Sequence, residues 1–178
     1  MDARAEFMDR IDTEPAPFHF EQCFEANYAR IARAAARIIG DEARAEEVAV
    51  DAFWKLWRTP EAQGEHAMGW VYRTAIRLAL NDLRGQRRRT HYESQSAGPA
   101  AVPSPEEAHA ATQTQERVRR VLAELEPRDA ELLLLRHQGL SYEELAAAID
   151  VKASSIGTMI ARAQKAFRRE YIRIYGEE

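Results

Sequence analysis

Arginine and aromatic side chains are concentrated in residues 66–90, a stretch with six basic residues and one acidic residue. Aromatic rings can stack on unpaired bases while guanidinium groups follow the phosphate backbone, which is the chemistry of single-stranded DNA binding. Trp70 and Tyr72 supply the rings, although each of them also fits an ordinary core position. The DNA-binding residues predicted in this segment are Trp70, Tyr72, Arg73, Arg77, Arg84, Arg87 and Arg88.

A second basic stretch, residues 152–178, carries six basic and three acidic residues. Just before it, Ser141 and Glu144 have the spacing of a capping box and mark the start of a short helix. A short capped helix, a turn and a basic helix form the pattern of a helix-turn-helix, whose second helix enters the DNA major groove. The same pattern also fits a helical hairpin with a solvated basic face. The DNA-reading side chains predicted in the second helix are Ser155, Thr158, Arg162, Lys165 and Arg168.

Two acidic stretches alternate with the basic ones and bring the net charge to −4. Residues 1–65 carry 14 acidic and 8 basic residues, and residues 91–151 carry 11 acidic and 5 basic residues. DNA repels such segments, whereas a basic protein partner attracts them. Segment 46–54 combines acidic and aromatic side chains, so it fits either a protein-docking helix or an ordinary surface helix. The docking residues predicted in it are Glu47, Asp51, Phe53 and Trp54.

The sequence argues against an enzyme. Its five histidines are scattered, with neither HExxH nor any other spacing typical of metal ligands, and it has no glycine-rich phosphate loop. Cys23 lies on an amphipathic segment and is interpreted as a core residue rather than a nucleophile. We therefore expect no catalytic residue, no metal, no cofactor and no small-molecule substrate.

The single cysteine excludes an intrachain disulfide and suits a reducing compartment. Residues 1–14 alternate acidic and basic side chains and lack the apolar core of a signal peptide. Apolar runs are far shorter than a membrane span. These features predict a cytoplasmic protein without membrane insertion.

Helical periodicity extends through most of the sequence, and no stretch alternates as strands do. The first predicted helix begins near Phe18 and ends at Gly40, and Asp41 caps the second. The third helix is expected from about Ala67 to Arg84 or beyond. Four further helices are expected in the second half, so the predicted fold class is all-α.

The segment from Ser94 to Pro105, SQSAGPAAVPSP, contains three prolines, three serines and one glycine. This composition is typical of a flexible linker. The segment ends in Ser104, Pro105 and Glu107, a capping box with proline at the first helical position. The predicted organisation is a leader at 1–17, a helical domain at 18–90, a linker at 91–110 and a helix-turn-helix domain at 111–178.

Four segments also carry a family resemblance. In the first half these are EEVAVDAFWKLW and WVYRTAIRLALNDLRGQRRR, and in the second half LAELEPRDAELLLLRHQGLSYEELAAAIDV and RAQKAFRR. In this order they resemble the polymerase-docking helix, the promoter-melting helix, the helix-turn-helix and its basic exit in small bacterial sigma factors of the extracytoplasmic-function (ECF) class. The resemblance covers about residues 18–90 and 112–172, most of the chain.

The resemblance implies a transcription initiation factor that binds core RNA polymerase and directs it to promoter DNA. The first domain would bind the clamp helices of the polymerase through a helix containing Asp51 and Phe53. It would also capture and melt the downstream promoter element through a helix containing Trp70, Arg73 and Arg84.

For the second domain, the resemblance implies that Ser155, Thr158 and Arg162 read the upstream promoter element while the domain touches the polymerase flap. The linker would thread into the polymerase active-site region. Many members of the class are held inactive by an anti-sigma factor, so such a partner is expected as well.

The chain departs from the family pattern at several positions. Val50 stands where the docking helix usually has glutamine. In the melting helix, an asparagine is usual near Arg77 and an aspartate at Asn81. The reading helix often has basic residues where this chain has Gly157 and Met159. These departures leave the promoter sequence open.

Two other functions fit the same residues. One is a helix-turn-helix DNA-binding regulator that never binds polymerase. The other is a sigma mimic that binds anti-sigma factors without initiating transcription.

Overall fold

The structure, a computed structural model, describes residues 18–96 and 109–177, with side chains described at 18–89 and 113–177. Within these ranges the chain forms helices and no strands, which confirms the predicted all-α class. The helices are α1 (Phe20–Ile39), α2 (Glu42–Trp57), a 3-10 turn (Pro60–Ala62), α3 (Ala67–Ser96), α4 (His109–Glu124), α5 (Pro127–His137), α6 (Tyr142–Ile149) and α7 (Ala153–Tyr175).

Helices α1, α2 and α3 pack together as the N-terminal domain. Gly40 ends α1 in the left-handed conformation, with φ of 82°, and its N–H donates to the Ala36 carbonyl. The Asp41 carboxylate accepts from the Arg44 N–H at 3.0 Å and so caps α2, as predicted. The domain core includes Ile31 and Val71, both fully buried.

Helix α3 is longer than the sequence pattern suggested. It continues through the arginine run to Ser96, past the predicted domain boundary at residue 90. The predicted leader, most of the predicted linker and the Ser104–Pro105–Glu107 capping box lie outside the described residues. The domain boundaries therefore stay predictions.

Helices α4 to α7 form the C-terminal domain, with α7 packed against α4, α5 and α6. The capping box at the start of α6 is complete: Ser141 Oγ accepts from the Glu144 N–H at 3.1 Å, and Glu144 Oε2 accepts from the Ser141 N–H at 2.7 Å. Asp150, with φ of 56°, turns the chain from α6 into α7. Helices α6 and α7 thus form the predicted helix-turn-helix.

The two domains are in direct contact, because α3 packs against α4, α5 and α6. Their buried apolar side chains form one continuous cluster. Gly69 permits the close approach of α3 to α6: a Cβ atom at Gly69 would lie 3.5 Å from Ala148 Cβ. Two helical domains are present as predicted, and here they form one body.

Candidate nucleic-acid and protein interfaces

The basic face of α3 meets the C-terminal domain at a shared carboxylate. Arg73 Nε donates to Glu131 Oε1 at 2.5 Å, and Arg77 Nε donates to Glu131 Oε2 at 3.0 Å. Arg73 Nη1 also donates to the Ala148 carbonyl at 2.6 Å. Both arginines therefore contact the other domain in this conformation.

The contact continues over the next two to three turns of α3. Arg84 donates to the Ala123 carbonyl at 3.2 Å and to the Leu125 carbonyl at 2.9 Å. Arg87 Nη1 lies 2.7 Å from Glu124 Oε1. Four of the arginines predicted to bind DNA thus share one interdomain surface.

A polar cleft of about 750 Å³ lies between α3 and the start of α5. Arg77, Arg84, Arg128 and Asn81 line it, together with the Glu131 carboxylate. The cleft exposes part of the α3 arginines to solvent, so water reaches the contact between the domains. Arg77, for example, keeps 57% of its side chain exposed.

The aromatic residues of α3 differ from the prediction in one case. Tyr72 is a core residue with 6% of its surface exposed, so the prediction that it contacts DNA is wrong for this conformation. It lies beside Ala34 and Arg37 of α1 and beside Gln138 of the C-terminal domain. Trp70 is half-buried and Arg88 is exposed, so both stay available as predicted DNA contacts.

The outer face of α7 carries all five predicted reading residues. Ser155, Thr158, Arg162, Lys165 and Arg168 are exposed. On the opposite side of the helix, Ile156, Ile160 and Ala163 are buried and hold α7 in the domain. Among the side chains that the structure describes, Arg162, Lys165 and Arg168 have no ion-pair partner. This face therefore offers uncompensated positive charge, while its DNA-reading role stays a prediction.

Gly157, one of the departures from the family pattern, has no steric reason to be glycine. A Cβ atom there would meet Tyr142 Cε2 at 3.6 Å, an ordinary contact. The position lies within α7, where glycine lowers helix stability by about 1 kcal/mol relative to alanine.

The outer face of α2 carries Glu47, Asp51 and Trp54, all exposed as a docking role requires. Phe53 does not belong to this face. Its side chain is 1% exposed and its ring meets the Phe24 ring edge-on, with centroids 5.0 Å apart. The predicted docking role of Phe53 is wrong, because the residue lies in the core between α1 and α2.

The structure adds two docking candidates that the sequence pattern did not single out, Val50 and Trp57. Together with Trp54 they are 49%, 53% and 54% exposed, in that order, and the two indole rings stack with their centroids 5.0 Å apart. Their i, i+4, i+7 spacing was the signal that could have identified one face. An exposed apolar stripe of this kind is a candidate protein interface. We call Val50, Trp54 and Trp57 the apolar stripe.

A bidentate ion pair fixes α2, and with it the apolar stripe, on α3. Arg44 Nε and Nη2 donate to the two Asp82 oxygens at 3.0 and 3.2 Å. Arg44 also pairs with Glu47, and both carboxylates raise the pKa of the guanidinium. Helix α2 is therefore held on α3 by a permanently charged side chain.

Cys23 is partly buried and packs against the core. Its Sγ lies 3.5 Å from Met68 Sδ, and burial raises the pKa of the thiol, which keeps it protonated at neutral pH. Within the described ranges, no three metal-ligating side chains converge. The helices described there are too short or too polar to cross a bilayer.

Comparison with known protein families gives two matches along the chain. Residues 23–89 match the sigma-70 region 2 family, and residues 115–167 match the sigma-70 region 4 family. The first match contains α2 and the basic face of α3. The second contains α6 and the first two thirds of α7.

Two relatives are similar over most of the chain. The sigma-H factor of RNA polymerase from Pseudomonas aeruginosa is 30% identical over 144 residues, which cover 73% of this chain and 74% of the relative. The ECF RNA polymerase sigma factor SigE from Mycolicibacterium smegmatis is 27% identical over 154 residues, or 84% of this chain. The chain spans 60% of the length of SigE.

A solved structure shares the fold. The sigma factor RpoE from Bartonella quintana, crystallised with the anti-sigma factor NepR, aligns with a TM-score of 0.53 at 19% identity. The alignment covers 88% of this chain and 98% of RpoE.

Proposed function

Because this chain belongs to the RNA polymerase sigma factors, in their ECF class, we propose that it directs core RNA polymerase to specific promoters and initiates transcription there. The observation that carries this proposal is the pairing, in one chain, of an exposed acidic and apolar docking face with an exposed, unpaired basic reading face. The family matches to both domains, in order, support it.

The docking face binds core polymerase. The apolar stripe would form the centre of the interface, where large aromatic side chains supply most of the binding free energy. Glu47 and Asp51 lie on the same helix and add negative charge to its surroundings. This arrangement fits a partner surface with apolar pockets and a basic rim.

The reading face of α7 binds the upstream promoter element in the major groove. Its hydroxyl groups, on Ser155 and Thr158, and its cations, on Arg162 and Lys165, can reach base edges and phosphates respectively. The departure at Gly157 removes a side chain from this helix, so the promoter it reads is expected to differ from those of members with a basic residue there.

The basic face of α3 captures the downstream element and holds it unpaired. Trp70 offers a ring for stacking, and Arg73, Arg77, Arg84 and Arg87 offer charge for the phosphates. Arg88 extends this charge beyond the interdomain contact. In the present conformation most of these arginines contact the C-terminal domain, so melting requires the domains to separate.

The partners and location follow from the same assignment. The protein would act in the cytoplasm, where core polymerase is found. Since RpoE was crystallised with the anti-sigma factor NepR, we include an anti-sigma factor among the proposed partners. A role without catalysis fits this family and the partly buried, protonated Cys23 thiol.

Run-off transcription tests the proposal. The full chain is added to core polymerase on a library of random promoters, with core polymerase alone as the control. We expect new transcripts that share an upstream and a downstream element. Binding to core without any chain-dependent transcript would favour a sigma mimic. Promoter-sized duplex binding without any complex with core would favour a helix-turn-helix regulator.

A further inference from the structure

Four arginines on one face of α3 are held by acceptors of the C-terminal domain. Arg73, Arg77, Arg84 and Arg87 are spaced by four, seven and three residues, which keeps them on one side of a helix with 3.6 residues per turn. All four donate to atoms of α4, α5 or α6. No other row of cations on the described part of the chain is engaged in this way.

The acceptors form a row of negatively charged carboxylates and of backbone carbonyls, whose oxygens carry partial negative charge. Two are carboxylates, those of Glu131 and Glu124. The others are backbone carbonyls: those of Ala123 and Ala148 in the last turns of α4 and α6, that of Leu125 just after α4, and that of Arg120 one turn before the end of α4. The last carbonyls of a helix lack intrahelical partners and carry partial negative charge.

This row presents to the arginines what a nucleic-acid backbone would present: oxygen acceptors at intervals along a helix face. We propose that the C-terminal domain is an intramolecular competitor of nucleic acid for the basic face of α3, and that the free chain is closed by this contact. The inference rests on the proposed function for the identity of the nucleic acid. The closure itself is independent of it.

Glu131 is the centre of the contact. It is the one charged residue that is buried among those the structure describes, with 5% of its side chain exposed, and each of its oxygens accepts from a different arginine. Such a carboxylate adds little net stability when paired, but leaving it buried without partners is costly. The contact therefore holds only in the register that aligns Glu131 with both Arg73 and Arg77.

A second contact at the far end of the interface fixes the same arrangement. The Arg119 guanidinium packs closely against Gly40, where an added Cβ atom would lie only 2.9 Å from Nη1. Arg119 Nε donates to the Arg37 carbonyl at 3.0 Å, in the last turn of α1. Here an arginine of the C-terminal domain donates to a helix end of the N-terminal domain. Each domain therefore supplies both donors and acceptors to the interface.

A reversible crosslink tests closure directly. Gly69 and Ala148 lie on opposite sides of the interface at a Cβ separation of 3.5 Å, within the range of a disulfide. The variant Gly69→Cys with Ala148→Cys, in a Cys23→Ala background, should oxidise to a monomeric crosslinked species. Gly69→Cys alone in the same background is the matched control and should not. Failure of the pair to crosslink would mean that the closed form is not populated, and would overturn the proposal.

The consequence for nucleic acid is measured on the same variant. Binding of a fluorescent single-stranded 20-mer is compared between oxidised and reduced protein by anisotropy. We expect the oxidised form to bind at least about tenfold more weakly, because a closed state lowers apparent affinity by the fraction that is open. Equal affinities in the two redox states would show that the contact does not compete.

Glu131→Gln supplies an independent test without added cysteines. The amide keeps the shape but loses the charge, so the two charge-assisted hydrogen bonds weaken. We expect the 20-mer to bind about tenfold more tightly. Glu143→Gln removes the same charge from an exposed position on α6 and should leave the affinity within about twofold. Equal gains in both variants would assign the effect to net charge and refute the assignment to Glu131.

Failure of this inference and failure of the proposed function give different results. Crosslinking and 20-mer binding need no polymerase, whereas promoter-directed initiation is measured by run-off transcription. If the chain crosslinks and shows redox-dependent binding but makes no transcript with core polymerase, closure is supported and the sigma activity is refuted. If the chain makes transcripts but shows neither effect, the sigma activity is supported and closure is refuted.

Discussion

The neighbouring residues Phe53 and Trp54 offer a sharp test of the docking face. Both are aromatic and both lie in α2, yet one is buried and the other is half exposed. Phe53→Ala should destabilise the fold, whereas Trp54→Ala should leave the fold intact and weaken the complex with core polymerase. Each variant thus serves as the matched control of the other.

The magnitudes follow from the surroundings of the two rings. Phe53 is 1% exposed and meets the rings of Phe24 and Phe20 at 5.0 and 6.5 Å, both edge-on. Truncating such a ring costs about 3–5 kcal/mol, through lost burial and the cavity left behind. With a urea m-value of about 2 kcal/mol/M, the unfolding midpoint should fall by about 2 M. Trp54 is half in solvent, so its truncation should change stability by no more than about 0.5 kcal/mol.

The binding effect of Trp54 is expected to be large. A tryptophan at the centre of an interface contributes about 2 kcal/mol or more, which corresponds to roughly thirtyfold in affinity. Urea unfolding followed by circular dichroism measures stability, and titration of labelled core polymerase measures binding. If Trp54→Ala bound core as tightly as the wild type, the apolar stripe would not be the docking surface. If Phe53→Ala unfolded at the wild-type midpoint, the assignment of Phe53 to the core would be wrong.

Three further substitutions test the other surfaces. Trp70→Ala should impair open-complex formation more than closed-complex formation, by about 1–3 kcal/mol, because stacking acts on unpaired bases; equal loss at both steps in permanganate footprinting would count against a melting role. Arg162→Ala should weaken binding to duplex promoter DNA by about 1–3 kcal/mol while leaving single-strand binding unchanged, and an unchanged duplex titration would remove Arg162 from the reading face. Ser141→Ala should lower the free energy of unfolding by about 1 kcal/mol by removing the α6 cap, and an unaltered urea midpoint would contradict this.

Local signals predicted the helix ends well. Gly40, Asp41 and the Ser141–Glu144 capping box act through backbone atoms within a few residues. Their effect can therefore be predicted from a short stretch of sequence. The alternation of buried and exposed positions in α7 was predictable for the same reason. Its 3.6-residue period separates Ile156 and Ile160 from Thr158 and Arg162.

The errors arose where the outcome depends on distant parts of the chain. Phe53 and Tyr72 are aromatic residues beside predicted surface residues, and their burial is decided by the helices that pack over them. The pairing of Arg73 and Arg77 with Glu131 joins residues more than fifty positions apart. Periodicity gives the face of each helix but not the partner that this face meets, so the interdomain contact had no signature in the sequence.

The placement of the three tryptophans has a practical consequence for spectroscopy. Trp54 and Trp57 form a solvent-facing stack on α2, while Trp70 lies on α3 beside the proposed nucleic-acid face. Burial of an indole shifts its emission to shorter wavelength, and contact with a nucleobase quenches it. A chain that keeps only Trp70 would test the proposed strand capture by its own fluorescence, and one that keeps only the stacked pair would test the proposed docking, with no dye attached to the chain in either case.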